Sequence, residues 1–250
     1  MNVQATEDEL SQLVEEGYVV RKGLVSPSDL AALRAAADEI EAEELPKHQV
    51  DVNAGFGGLF VRNLIDRHKT FRDFCLGFEP TLSVARAVLG PQVQIHASVL
   101  RIAYSGLKNQ NVEWHFHQRV VPDPIPPFFL RPVVLDNLVY LDELTPETGP
   151  LVVLPRSHLV DEDLPSGDHS DKPGQVIVTC PAGSCVTSHS SLWHKALAPA
   201  EGSPKRRLLI FGYSPVWLKQ IDRPGGGLTD ELLSGANRGM RELLGKEGWY

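Results

Sequence analysis

The chain is poor in cysteine: 250 residues hold three, Cys75, Cys180 and Cys185, an odd number widely spread. That usage fits buried thiols in a reducing compartment better than a disulfide framework, and the spacing of Cys180 and Cys185 matches no zinc motif. Basic residues are also in short supply. Lys and Arg number 24 against 32 Asp and Glu, a net charge of −8, and no basic cluster is long enough to follow a phosphate backbone. Nucleic acid is therefore not an expected partner. No apolar run approaches the ~18 residues of a membrane span, so no membrane is expected either. The acidic opening "MNVQATEDELSQLVEEGY" lacks the basic and apolar regions of a secretory signal. The expectation is a soluble, cytoplasmic protein. There is no internal repeat, and Gly225-Gly226-Gly227 lacks the Gly-Lys-Ser/Thr of a phosphate loop, so it reads as a flexible link.

What is present is ordinary globular composition, 42% hydrophobic and 22% charged, enough to bury a real core. The first 45 residues look helical. "DELSQLVEEG" is a short helix stopped at Gly17, and "YVVRKGL" then reads as a strand. "SPSDLAALRAAADEIEAEE" opens with Ser26 as N-cap, Pro27 at the first helical position and Asp29 closing a capping box. Leu30, Leu33, Ala37 and Ile40 follow on one helical face. A second helical patch, "TFRDFCLGFEPTLSVARAVLG", ends at Gly90. From residue 92 the texture changes to short β-branched runs broken by Pro, Gly and Asp, such as "VQIHASVLRIAY", "PVVLDNLVYLDEL" and "RLLIFGYS". This is the pattern of an all-β barrel or jelly roll. We expect one domain over residues 1–250, with a helical flank to about residue 90, a jelly-roll core to about residue 215 and a helical tail from residue 223.

The chemistry concentrates in two places. "EWHFHQRVV" carries His115 and His117, and on a strand that spacing turns both imidazoles to one side. "SHSSLWHKALAPAEGSPKRRLLIFGY" adds His189 and His194, then Arg206 and Arg207. Clustered histidines can hold a metal, and a nearby arginine can bind a carboxylate through two parallel hydrogen bonds. The serines of "TSHSS" lack a glycine-framed nucleophile elbow, which argues against serine catalysis.

In order along the chain, "LSQLVEEGYVVRKGLVSPSDLAAL", "WHFH", "LVYLDELTPETGPLVVLPRSH" and "CVTSHSSLWHKALAPAEGSPKRRLLIFGY" resemble the phytanoyl-CoA dioxygenase family of non-haem Fe(II)/2-oxoglutarate oxygenases. The resemblance implies a mainly β, cupin-like double-stranded β-helix with flanking helices. It implies an enzyme that uses Fe(II), 2-oxoglutarate and molecular oxygen to oxidise a small-molecule metabolite, by default hydroxylating it. Carried over by position, His115 and His194 are metal ligands, and Arg206 meets the far carboxylate of 2-oxoglutarate while Arg207 points to the opposite strand face.

His117 departs from the family, whose pattern has a carboxylate there. Three outcomes stay open: His117 ligates iron, it swings aside and leaves a gap for water or chloride, or the site has lost oxygenase chemistry. The third includes a zinc hydrolase-like site, a dioxygenase independent of 2-oxoglutarate and a degenerate scaffold. Replacing a carboxylate by neutral imidazole would leave the site one unit more positive. Glu113, Trp114, Arg101, Phe128, Phe129, His189 and Trp193 are candidate pocket residues, with segment 120–132 as a lid. His158, Asp136 and Asp142 are expected to be structural.

Overall fold

The computed structural model describes residues 4–47, 57–107, 110–117, 134–160, 163–222 and 224–247. Phe128, Phe129 and the whole of segment 120–132 lie outside the described residues.

Two antiparallel sheets face each other. The larger runs in the order β1 (Tyr18–Arg21), β8 (Cys185–His189), β5 (Leu135–Tyr140), β10 (Arg206–Pro215), β3 (Val93–Ala103), β2 (Leu59–Arg62). The smaller runs β4 (Val112–His115), β9 (His194–Ala196), β6 (Leu151–Val153), β7 (Val176–Val178). Helices α1 (Glu7–Glu16), α2 (Pro27–Glu44), α3 (Lys69–Gly77) and α4 (Glu79–Leu89) come first, and α5 (Gly227–Ser234) and α6 (Arg238–Leu243) last. The expected double-stranded β-helix with helical flanks is thus the observed fold.

Local chemistry sets the element ends. Gly17 stops α1 at φ +85°, a left-handed conformation that costs glycine little. Ser26 caps α2 by accepting from Asp29 N at 3.1 Å, with Pro27 following. The second helical patch is two helices rather than one. Pro80 sits in the first turn of α4, where proline starts a helix well and continues one badly. The N-terminal flank also supplies strands: β1 and β2 form the two edges of the large sheet.

Alternation divides the large sheet into two faces. On one, Leu33, Ala37 and Ile40 of α2, Phe71 and Cys75 of α3 and Leu82 of α4 pack against Leu100, Ile102, Leu209 and Phe211. Phe71 is fully buried, and truncating it to Ala should cost roughly 3–5 kcal/mol. The other face looks into the space between the sheets, where Leu138, Tyr140, Val186 and Leu208 meet Leu151, Val153 and Val178 of the small sheet. Arg206 shares the parity of Leu208, and Arg207 that of Leu209, so the two arginines leave β10 on opposite sides. Cys75, Cys180 and Cys185 are buried free thiols. Among the described residues no helix is long and apolar enough to cross a membrane.

Candidate metal centre

The small sheet brings two of the predicted histidines face to face. His115, the last residue of β4, pairs directly with His194, the first of β9, and their ring centroids are 4.2 Å apart. His117 lies past the end of β4 on a bend, where its N–H donates to Ser190 O at 2.9 Å. One ligand nitrogen from each of the three rings falls within 4.8 Å of the others. The histidines therefore converge, although strand alternation accounts for only part of it.

Each ring is oriented through Nδ1. His115 Nδ1 donates to Glu113 O at 2.9 Å, and His194 Nδ1 to Leu192 O at 2.9 Å. A carbonyl only accepts, so these Nδ1 atoms carry the proton and the Nε2 lone pairs are left for a metal. His117 Nδ1 lies 2.9 Å from Asp136 Oδ2 on β5 of the facing sheet, and its Nε2 is 3.2 Å from His194 Nε2. Three imidazole nitrogens gathered within 4.8 Å of one another suit a divalent first-row metal.

Electrostatics separates the three. Burial, then the charge of His117, pushes His115 down to about 4. Burial and both neighbouring imidazoles hold His194 well below the usual histidine value. Burial acts on His117 in the same direction, yet the Asp136 carboxylate outweighs it and raises that ring. Desolvation thus favours the neutral form of two of the imidazoles, and the third is tied to an anion. Asp136, expected to be structural, is the residue of the facing sheet that meets the histidine cluster.

Arg206 is 2% exposed. Its Nε has no hydrogen-bond partner, and its guanidinium forms no ion pair among the described residues. Burial lowers its pKa. Arg101 stands on the same face through the cross-strand pairs Arg101–Leu208 and Leu208–Tyr140. Burial, followed by the charge of Arg206, brings Arg101 down to about 10, and Arg101 in turn bears on His115. Phe60 on edge strand β2 pairs with Arg101 and shares its face, with 42% of its surface open. The alternation in "LFVR" was the available signal for it.

Glu113, Trp114, Trp193 and His189, also predicted for the pocket, have partners of their own among the described residues. A register shift between Val112 and His115 breaks the alternation of β4, so Glu113 turns away and accepts from Gly167 N in the loop beyond. Trp114 and Trp193 pack with Val152 on the outer face of the small sheet. Trp114 Nε1 donates to Ser170 O at 2.7 Å, with the Lys195 ammonium 4.9 Å from its ring. His189 lies beside His158, ring centroids 4.9 Å apart, and burial brings it down to about 3. His158 ties that pair to α1 by donating to Val14 O at 3.0 Å.

Comparison with known proteins adds three findings. The sequence model of the phytanoyl-CoA dioxygenase family matches residues 13–207. An ectoine dioxygenase of Sphingopyxis alaskensis is 31% identical over 148 residues, covering 57% of this chain and 46% of that protein. The chain thus matches less than half of that relative's length. Among solved structures, HygX from Streptomyces hygroscopicus with nickel and 2-oxoglutarate bound superposes with a TM-score of 0.69 at 16% identity, over 89% of this chain and 92% of that one. The carbocyclase SnoK from nogalamycin biosynthesis gives a TM-score of 0.67 at 19% identity, over 90% and 95%. These two likenesses are of fold.

Proposed function

The chain belongs to the phytanoyl-CoA dioxygenase family, and on that premise we propose that it is an Fe(II)- and 2-oxoglutarate-dependent oxygenase of a small-molecule substrate, hydroxylation being the default outcome. The observation that carries this is a conjunction. One nitrogen from each of three imidazoles converges within 4.8 Å of the others, and a buried arginine with an unmatched Nε lies on the face that looks into the same inter-sheet space. The curated relative's name, an ectoine dioxygenase, supports a dioxygenase acting on a small molecule.

His115, His117 and His194 would hold the metal, and Arg206 the far carboxylate of the cosubstrate. When bound there, ferrous iron with 2-oxoglutarate and oxygen supplies an oxidant strong enough to attack a C–H bond, releasing succinate and carbon dioxide. The chain's own part is binding and orientation. The Arg206 guanidinium offers a planar fork that fits a carboxylate with two parallel bonds. The apolar walls of Leu138, Val153 and Leu208 keep the local dielectric low, which strengthens that pairing. Arg101, on the same face as Arg206, adds a second buried positive charge. Phe60, partly open on the same face, offers an apolar wall to a substrate.

Arg206 also weighs against a hydrolytic zinc site. Burying an unmatched guanidinium costs several kcal/mol, and the water, metal and general base of a hydrolytic site do not themselves supply an anion to offset it, whereas 2-oxoglutarate does. The position of His117, its Nε2 beside that of His194, supports ligation over a gap for water or chloride.

The test is an anaerobic titration with Fe(II) and then 2-oxoglutarate, following the visible iron-to-cosubstrate charge-transfer band. The band should form in the native protein and be lost in His115→Ala. Tight zinc binding with no band under any condition would overturn the oxygenase assignment.

A further inference from the structure

Asp136 is a buried carboxylate at the middle of the large sheet, on β5 between β8 and β10. Among the described residues its side chain has one hydrogen-bond partner, His117 Nδ1. Taking a carboxylate out of water costs several kcal/mol unless donors or a cation meet it. Packing alone would favour an apolar residue here, as at Leu138 two positions along. The backbone also makes room for the charge. Gly212 lies directly opposite on β10, and a Cβ there would stand 3.0 Å from Asp136 Oδ1. His115 and His194 are aimed by carbonyls two residues back in their own chain. His117, beyond the end of its strand, is aimed by an anion reaching across from the other sheet.

We infer that Asp136 is a positioning residue of the metal centre, one that aims His117 Nε2 at the metal and supplies from outside the ligand set the negative charge a ligating carboxylate would have brought. This inference rests on the metal-site assignment above. A carboxylate that accepts from the far nitrogen of a ligating imidazole fixes its tautomer and ring plane and makes the ring a stronger donor. Two histidines with a carboxylate carry one negative charge in total, and so do three histidines with Asp136. The charge sits one ring farther from the metal, so the three-imidazole site is less cationic than its ligands alone suggest.

The test is Co(II) titration of the metal-free protein, read as visible ligand-field absorption, in the native chain, His115→Ala, His117→Ala, Asp136→Asn, Asp136→Ala and the double variant His117→Ala/Asp136→Asn. Asparagine keeps an acceptor for Nδ1–H and loses the charge, whereas alanine loses both. Asp136→Asn should weaken Co(II) binding about 10–100-fold and shift the absorption band, and Asp136→Ala should weaken it further. In the His117→Ala background the Asp136→Asn change should alter affinity by less than about twofold, because its effect runs through that ring. Gly212→Ala crowds the carboxylate without altering the ligands, and should give a smaller loss of the same kind. Native affinity and spectrum in Asp136→Asn would overturn the inference, as would an equal loss with and without His117. A native chain that binds no Co(II), or binds it as well in His115→Ala, would instead refute the metal site itself, and this inference with it.

Discussion

Arg206 and Arg207 are neighbours on β10 and have opposite fates. Arg207 leaves on the helical side, where Nε donates to Asp142 Oδ2 at 2.9 Å and a terminal nitrogen to Asp142 Oδ1 at 2.8 Å. Its other terminal nitrogen donates to both oxygens of Asp38, at 2.9 and 3.0 Å. The hydrogen bond to Asp142 and the two carboxylate charges raise its pKa above the usual arginine value. Arg206 leaves on the inner side, more deeply buried, and no carboxylate of the described chain meets it. An arginine whose partners are supplied by the fold belongs to the fold. One buried without them carries a cost to stability that an anion from outside would offset.

The largest effect is expected on removing Arg206. Arg206→Ala should weaken 2-oxoglutarate binding by about 2–4 kcal/mol, seen as a rightward shift of the charge-transfer titration. Arg206→Lys should recover part of the loss, since it keeps the charge without the fork. Arg206→Met should melt higher than the native chain without cosubstrate, by roughly 1–2 kcal/mol, because an unmatched buried charge gives way to an apolar side chain of similar length. A lower melting temperature in Arg206→Met would show that Arg206 is structural after all.

Arg207→Ala should do the reverse. It should cost about 2 kcal/mol of unfolding free energy by urea denaturation and leave 2-oxoglutarate binding nearly unchanged. A large loss of cosubstrate affinity there would break the contrast.

The smallest effect is expected at Asp38, an exposed partner of Arg207 and Lys205. Burial pushes its carboxyl up, but the Lys205 hydrogen bond and the Arg207 charge outweigh that and hold it below the usual range. A depressed folded value means that the stabilisation is fully present above the unfolded pKa, roughly 4, and fades as pH falls through the lower folded value. Asp38→Asn should lose a few tenths of a kcal/mol near neutrality and show a correspondingly flatter acid limb in melting temperature. An unchanged acid limb would mean that solvent screens the pair completely.

Features carried by local pattern were legible in the sequence. Ser26 and Pro27 announced α2, Gly17 ended α1, and the separation of Arg206 from Arg207 followed from strand parity alone. The convergence of His115 and His194 came with the family resemblance, and their register pairing now gives it a physical basis. What stayed hidden depends on contacts between elements or on breaks in a period. Asp136 meets His117 across the gap between two sheets, and no spacing rule measures that gap. Glu113 has the strand parity of His115, but β4 does not keep that alternation. Trp114 and Trp193 adjoin His115 and His194 in sequence, but neighbours along an extended chain face opposite ways, and both pack on the outside of the small sheet. Edge strand β2 is only four residues long, too short for its alternation to stand out.

The two strand histidines share one further habit, each leaning on the carbonyl two residues before it. Their aim is therefore written into the peptide backbone and exists before any ion arrives. Chelators should empty such a socket without collapsing it, and another divalent ion should be able to take the vacated place. Three imidazole nitrogens accept copper, nickel and zinc as readily as iron, or more so. The identity of the metal then becomes a property of the cell that loads the protein, and of the order in which ions reach it.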